Sequence, residues 1–321
     1  MASETRTLQS SPSILPLYAR AAAPLVPGLS LLPFVPGGGG EIPEIELELP
    51  NVRADVEAVA AYARVCGFAL RDQLPPTYPH VLAFPLHMAL MADGRFPFGA
   101  VGLVHVENRI AQHRPLGLGE ELTLRARPTA LLPHPKGKTF TIVSEARTAG
   151  GELAWEGVST FLRSGKSDPD AVVPATRGQD GDVGGGDLAS LPASAEWKLG
   201  GDLGRRYAAV SADRNPIHMH ALTAKPLGFP AAIAHGMWTK ARCLAALGSR
   251  LPDAFAVEVR FRKPILLPAR VEFASAPGEA EGEIEFAVRD ARKATPHLDG
   301  RITPEHEPTA SKAKSKPRRT K

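Results

Sequence analysis

Cysteine is almost missing from this chain: its 321 residues hold two, Cys66 and Cys243. Two thiols cannot build a disulfide framework or a cysteine metal cluster, and they suit a reducing compartment. Aromatic residues are scarce, at 6%, so any core must be filled by Leu, Val and Ala. Long apolar runs are absent too. The most apolar stretch, residues 21–36, is interrupted by Pro24, Pro27, Pro33 and Pro36 and is too short and too broken for a transmembrane helix. The opening Met1-Ala2-Ser3-Glu4 lacks the basic start and apolar run of a secretory signal. These absences lead to the expectation of a soluble cytoplasmic protein with no membrane span.

Acidic residues are missing from one place. Ser311–Lys321 carries Lys312, Lys314, Lys316, Arg318, Arg319 and Lys321 with no Asp or Glu. The formal net charge of the whole chain is +4, so everything before that stretch is slightly acidic. The basic character belongs to a tail, assigned to residues 304–321. It reads as a disordered solubilising end, with weak contact to anionic partners as the alternative. No nucleic-acid-binding face is expected.

Gly and Pro are plentiful, at 30 and 31 residues, and they punctuate the chain. Residues 1–45 end in Pro36 and Gly37–Gly40; that segment is expected to be irregular, with room for one strand or short helix. A second breaker zone, residues 166–192, mixes Gly178, Gly181 and Gly184–Gly186 with Asp and reads as a flexible linker. Between these zones two blocks echo each other. Tyr62-Ala-Arg-Val65 returns as Tyr207-Ala-Ala-Val210, Tyr78-Pro79 as Phe229-Pro230, and Arg114-Pro115 as Lys263-Pro264, each about 150 residues later. The expectation is a duplicated domain, over residues 46–165 and 193–303.

Each copy has the same grammar. A central apolar helix (82–91 and 237–247) is followed by four strands: 102–112, 121–128, 139–148 and 152–162, then 255–262, 269–274, 281–290 and 297–302. The strands alternate, as Val257, Val259 and Phe261 do against Glu258, Arg260 and Arg262. Helix first, then a run of strands, predicts an α+β class with an antiparallel sheet wrapped on a helix.

Reactive residue types concentrate in Tyr207-Ala-Ala-Val-Ser-Ala-Asp-Arg-Asn-Pro-Ile-His218. Pro216 keeps Asn215 out of the helical region and makes a rigid turn between Asp213 and His218. A turn can aim both side chains into one pocket, where carboxylate and imidazole suit proton transfer near neutral pH. Further on, His235-Gly236-Met237 opens the apolar helix. Gly236 at a helix N-terminus offers an unhindered N–H where the dipole is positive, a place to hold an oxygen that gains negative charge. The blander readings stand beside these. Asp213 and Asn215 are typical turn formers. His235 reads as a hydrogen-bonder at the helix start, Met237 as helix packing or tunnel wall, Tyr207 as a support beneath the loop.

The run from Tyr207 to His218, with Gly228-Phe-Pro230 and Ile233-Ala-His-Gly-Met237, closely resembles the hydratase motif of MaoC-like dehydratases, the (R)-specific enoyl-CoA hydratases. Arg260–Pro268 looks like the strand that follows in that family. Pro75-Pro-Thr-Tyr-Pro-His-Val81 and Val104-His-Val-Glu-Asn108 are similar to the non-catalytic half of two-domain members, including actinobacterial 3-hydroxyacyl-thioester dehydratases. The resemblance covers roughly residues 50–300. One position departs from it: Ala212 stands where the family usually has Gly, a small change that removes no catalytic group.

The resemblance implies a double hot-dog, two antiparallel sheets each wrapped around a central helix. It implies reversible hydration of trans-2-enoyl thioesters, carried by CoA or acyl carrier protein, in fatty-acid metabolism. Asp213, His218 and Gly236 are the expected catalytic groups. Asp213 would help take a proton from water attacking C3, His218 would assist delivery to C2, and the Gly236 N–H would stabilise the thioester oxygen. Tyr207, Ser211, Asn215, His235 and Met237 are the substrate-binding candidates. Aligning Val65 with Val210 puts Phe68 opposite Asp213 and Gln73 opposite His218, so one active site per chain is expected, with the first copy walling the acyl pocket. His80, His87, His105 and Asn108 of that copy read as core or interface polar residues, with pocket lining as the alternative. Arg205, Arg206, Arg260, Arg262 and Lys263 include candidates for phosphate contacts, against ordinary solvated charges. No metal or redox cofactor is expected; His218 and His220 lack an acidic or Cys partner at ligand spacing. A homodimer is left open. The competing readings are a hot-dog acyl thioesterase and a non-catalytic acyl-thioester-binding subunit.

Overall fold

A computed structural model describes residues 4–23, 40–165 and 191–305. Nearly all of the expected linker and basic tail, and the Gly-rich end of the N-terminal segment, lie outside the described residues. The first half runs β1 (Glu4–Thr7), α1 (Ile14–Ala22), β2 (Ile45–Val52), α2 (Val56–Cys66) and α3 (Tyr78–Met91), then β3 (Val104–Gln112), β4 (Leu122–Pro128), β5 (Leu132–His134), β6 (Gly137–Thr148) and β7 (Leu153–Ser164). The second runs β8 (Ala193–Leu199), α4 (Leu203–Ser211), α5 (Pro216–Met219), α6 (Ala221–Ala224) and α7 (Gly236–Leu247), then β9 (Phe255–Phe261), β10 (Ala269–Pro277), β11 (Ile284–Asp290) and β12 (Pro296–Pro304). Among the described residues no helix is long and apolar enough to cross a membrane.

Local chemistry accounts for these elements. In β2, Ile45, Leu47 and Leu49 are buried between half-exposed Glu46 and Glu48, the alternation of a strand covered on one face. Helix α2 starts where the Asp55 carboxylate accepts the Ala58 N–H at 2.8 Å, satisfying one of the free donors of the first turn. It ends at Gly67, whose φ of +85° suits a residue without Cβ. Helix α3 is apolar on nearly every face and buried on most of them, as a helix wrapped by a sheet must be.

The strands join in one sheet of order β1-β2-β4-β6-β7-β3-β9-β12-β11-β10-β8, with β5 against β6. All neighbours are antiparallel except β1 and β2. The two halves meet through β3 and β9, where Arg109 lies opposite Glu258 and pairs with it at 3.3 Å. On the helical side α2 faces α4, and the rings of Tyr62 and Tyr207, landmarks of the sequence repeat, stand 6.1 Å apart. Equivalent elements thus meet their own counterparts across a pseudo-two-fold axis.

The seam contains a fully buried lysine. The Lys240 amine of α7 donates to the Asn108 carbonyl oxygen at 3.2 Å, to Asn108 Oδ1 at 2.5 Å and to the Val257 carbonyl oxygen at 3.1 Å. Its three donors are spent on three oxygens of β3 and β9. Burial holds the amine well below the ordinary lysine range.

The structure adds elements to the expected set. The N-terminal segment is not merely irregular: β1 extends the sheet in parallel to β2, and α1 packs against α3. Ile14, Leu17, Tyr18 and Ala21 carry helical spacing, but the prolines that follow hid it. Strand β2, set between β1 and β4, and β8, at the far edge of the sheet, were not among the expected strands. One outcome follows from the seam. Replacing Lys240 with Met leaves the three oxygens without donors; thermal unfolding should show a loss of about 3 kcal/mol.

Candidate active site

The loop between α4 and α5 is shaped before it is functional. Helix α4 ends at Ala212, which takes the left-handed conformation with φ +61°. The Ser211 hydroxyl donates to the Tyr207 carbonyl oxygen at 2.9 Å and accepts the Asp213 N–H at 3.3 Å. Asn215 caps α5, its side chain accepting the Ile217 N–H at 3.4 Å, and Pro216 occupies the first helical turn. Gly204 lets this short helix sit directly on α4, because a Cβ there would overlap the His218 carbonyl.

Four groups converge on the Asp213 carboxylate. Its Oδ1 accepts the Tyr18 hydroxyl at 2.9 Å and the Asn215 N–H at 3.1 Å. Its Oδ2 lies 3.8 Å from His235 Nε2. The rings of His218 and His235 stack with centroids 3.6 Å apart. Burial pushes the Asp213 carboxyl up, but His235, His218, the Asn215 N–H and the Tyr18 hydroxyl outweigh it and hold the group below its ordinary value of 3.8.

The two imidazoles are fixed by carbonyl oxygens. His218 Nδ1 sits 2.8 Å from the Ile233 carbonyl oxygen. That oxygen can only accept, so Nδ1 carries the proton. His235 Nε2 donates to the Asp213 carbonyl oxygen at 3.0 Å by the same logic. Burial lowers both rings: His218 falls below 6.5, with Asp213 and the Ile233 bond opposing, and His235 drops to about 3. Both are neutral near pH 7, so His218 Nε2 presents a lone pair and His235 Nδ1 is a buried atom without a partner.

All eight expected site residues, Tyr207, Ser211, Asp213, Asn215, His218, His235, Gly236 and Met237, line one cavity of about 1180 Å³. Gly236 is the first residue of α7, and a Cβ there would press on the Phe261 ring at 2.9 Å. The glycine therefore lets that ring pack against the first turn of α7. From the first half come His80, Phe84, Leu103, His105, Phe140 and Phe161. His80 and His105 are thus pocket lining, whereas His87 bonds Ser144 at 2.6 Å and Asn108 serves Lys240. Arg260, Arg262, Lys263 and His297 also line the cavity. Arg260 pairs with Glu107 and Arg262 with Asp299, while Arg205 turns to the Met219 carbonyl oxygen.

One feature was not anticipated: Tyr18 comes from a segment expected to be irregular with room for a short helix, and helical spacing was the only sequence signal for it. Asp213, His218 and His235, all site candidates from the sequence, come together with one side-chain N or O atom from each within 4.8 Å of the others.

Fold and site together define a double hot-dog protein with a carboxylate and two imidazoles clustered in one half. A MaoC like domain model matches residues 193–291. Over 296 residues, 91% of this chain and 99% of the relative, the sequence is 36% identical to the 3-hydroxyacyl-thioester dehydratase X of Mycobacterium tuberculosis. The crystal structure of HtdX from that organism superposes with a TM-score of 0.69 at 35% identity, covering 81% of this chain and all of that one. A second Mycobacterium tuberculosis protein, described as a double hotdog fold, gives a TM-score of 0.52 at 15% identity over 79% of this chain and 92% of its own, a likeness of fold alone. The chain belongs to the MaoC-like dehydratase family.

Ala212 pays a conformational penalty at φ +61°. Relieving it with Ala212→Gly should stabilise the protein by about 0.5–1 kcal/mol in chemical unfolding, with kcat unchanged, since no reacting group is touched.

Proposed function

We propose that Asp213 and His218 carry the reaction of this dehydratase: addition of water across a trans-2-enoyl thioester and, in reverse, loss of water from an (R)-3-hydroxyacyl thioester. The observation that carries the reading is the His218 Nδ1–H bond to the Ile233 carbonyl oxygen, which leaves an Nε2 lone pair beside an ionised carboxylate at the shared cavity.

That bond redistributes the roles expected from sequence. A neutral His218 with its proton on Nδ1 has no Nε2 proton to donate, so it acts first as base. Water is held between Asp213 Oδ2 and His218 Nε2. As its oxygen bonds to C3, one proton passes to Nε2 and the C2–C3 π electrons move toward the thioester carbonyl. The oxygen that gains charge lies at the Gly236 N–H, at the positive end of α7. The imidazolium, stabilised by Asp213, then returns the proton to C2. Water is consumed whole and nothing else is needed for balance. Both transfers involve one base on one face of the substrate.

The chain divides, in this reading, into a non-catalytic half over residues 46–165 and a catalytic half over 193–303. Phe68 and Gln73 occupy the positions of the proton-transfer pair in the first. Residues 166–192 link the halves. Tyr207, Ser211 and Asn215 support the loop, His235 orients it, and Met237 lines the acyl path with residues of the first half. The thioester is carried by CoA or acyl carrier protein, and Lys263 is the basic residue at the cavity best placed to meet a carrier phosphate. The protein works in the cytoplasm, where Cys66 and Cys243 stay reduced. Assembly as a homodimer is compatible with the internal pairing of the two halves.

Asp213→Asn and His218→Gln should each lower crotonyl-CoA hydration by roughly 10³-fold while circular dichroism stays unchanged. Turnover retained in both contradicts the assignment, and release of free thiol in place of hydration favours a thioesterase. With His218 lowered below 6.5, its base form dominates at neutral pH. Activity should hold near pH 7 and fall only as pH drops through that lowered value.

A further inference from the structure

The N-terminal arm reaches the reactive carboxylate. Strand β1 pairs with β2 along the edge of the first half, and Arg6 faces Asp93 at 3.5 Å while Arg95 faces Glu4 at 3.4 Å. Helix α1 follows, with Ala21 fully buried and Ile14, Leu17 and Tyr18 packed against the core. This anchorage holds half-buried Tyr18 where its hydroxyl donates to Asp213 Oδ1 at 2.9 Å and accepts the Arg214 N–H at 2.8 Å. The hydroxyl is therefore oriented: its acceptor side is taken by a backbone donor, so its proton must point at the carboxylate.

We infer that Tyr18 is a positioning residue for Asp213: the N-terminal arm of the first half delivers a phenol that fills Oδ1 and reserves Oδ2 for the reacting water. The inference rests on the reading of Asp213 and His218 as the proton-transfer pair. A carboxylate has two oxygens, and filling one of them leaves the other to bind water. The Asn215 N–H and the Tyr18 hydroxyl together occupy Oδ1, while Oδ2 is the oxygen nearer the His235 ring. A hydrogen bond to the ionised form also favours that form. Burial and the Asp213 charge push the phenol far above its ordinary value, so it stays a donor throughout the working range.

Other titratable groups face Asp213 as well. His218 comes from α5 and His235 from the start of α7. His80 of α3, His105 of β3 and Tyr207 of α4 all sense its charge. Arg214 is its chain neighbour. His80, His105 and His235 are lowered to about 4, 3 and 3, so they stay neutral until the pH lies well below 7.

The test is steady-state kinetics of full-length Tyr18→Phe with crotonyl-CoA, as a function of pH. The expected result is a kcat about tenfold lower with KM within about twofold and unchanged thermal melting. The acid limb of kcat should move upward, because the Asp213–His218 pair has lost a donor to its ionised form. Installing 3,5-difluorotyrosine at position 18 keeps the ring and strengthens the donor, so the limb should move downward; this arm decides if Tyr18→Phe folds poorly. Wild-type kcat and pH profile in Tyr18→Phe, or in the fluorinated protein when only that folds, overturn the inference. A loss confined to KM or melting temperature also overturns it. Asp213→Asn separates the two levels. If it abolishes turnover while Tyr18→Phe is silent, only the role of Tyr18 fails; if it retains turnover, the catalytic reading fails beneath it.

Discussion

One hydrogen bond, from His218 Nδ1 to the Ile233 carbonyl oxygen at 2.8 Å, governs the chemistry available to this protein. A carbonyl cannot donate, so it selects one imidazole tautomer and leaves the other nitrogen as a base. The carbonyl is itself immobilised. Ile233 N–H donates to the Ile217 carbonyl oxygen at 3.0 Å, Ala234 N–H to that of Ile265 at 3.0 Å, and Leu267 N–H to that of Ala232 at 2.8 Å. The short segment before α7 is thus stitched to α5 on one side and to the Ile265–Leu267 strand-like stretch on the other. It carries both the orienting carbonyl and, three residues on, the N-terminus at Gly236. The proposed base and the proposed oxyanion donor are fixed by the same piece of backbone.

Duplication explains why such a centre can exist in half the molecule. The β3–β9 junction and the contact of α2 with α4 hold the halves in one body. In the proposed division of labour the first half carries no proton-transfer pair and contributes surface. Phe68 stacks over Tyr62 at 6.4 Å, and Gln73 pairs its backbone with Gly117, so the counterparts of Asp213 and His218 serve the core and a loop. In exchange, His80, Phe84, His105 and Phe161 extend the cavity beyond the reacting atoms. The buried Lys240 sits between these duties, joining α7 to both central strands.

Much of this was legible in the sequence, for reasons that differ by element. The strands from β9 onward announced themselves by alternation, and α7 by an apolar run opened by Gly236. The Asp213-to-His218 loop was legible because its turn chemistry is local: Ser211, Asn215 and Pro216 all act within a few residues. Tyr18 was not legible, since its partner lies 195 residues away and only the fold of the arm brings them together. The tautomer of His218 was equally hidden, because Ile233 is an ordinary apolar residue whose contribution is a backbone oxygen. Ala212 shows a third case. The sequence marks the substitution, but only φ +61° turns it from a neutral exchange into a strained one.

A single base on one face makes a stereochemical demand. In the proposed mechanism the proton removed from water and the proton delivered to C2 pass through the same His218 Nε2, so oxygen and hydrogen add from the same side. Hydration of crotonyl-CoA in deuterated water, followed by NMR assignment of the deuterium at C2 relative to the hydroxyl at C3, measures this directly. The account predicts syn addition. Anti addition would require a second acid on the opposite face and would contradict it.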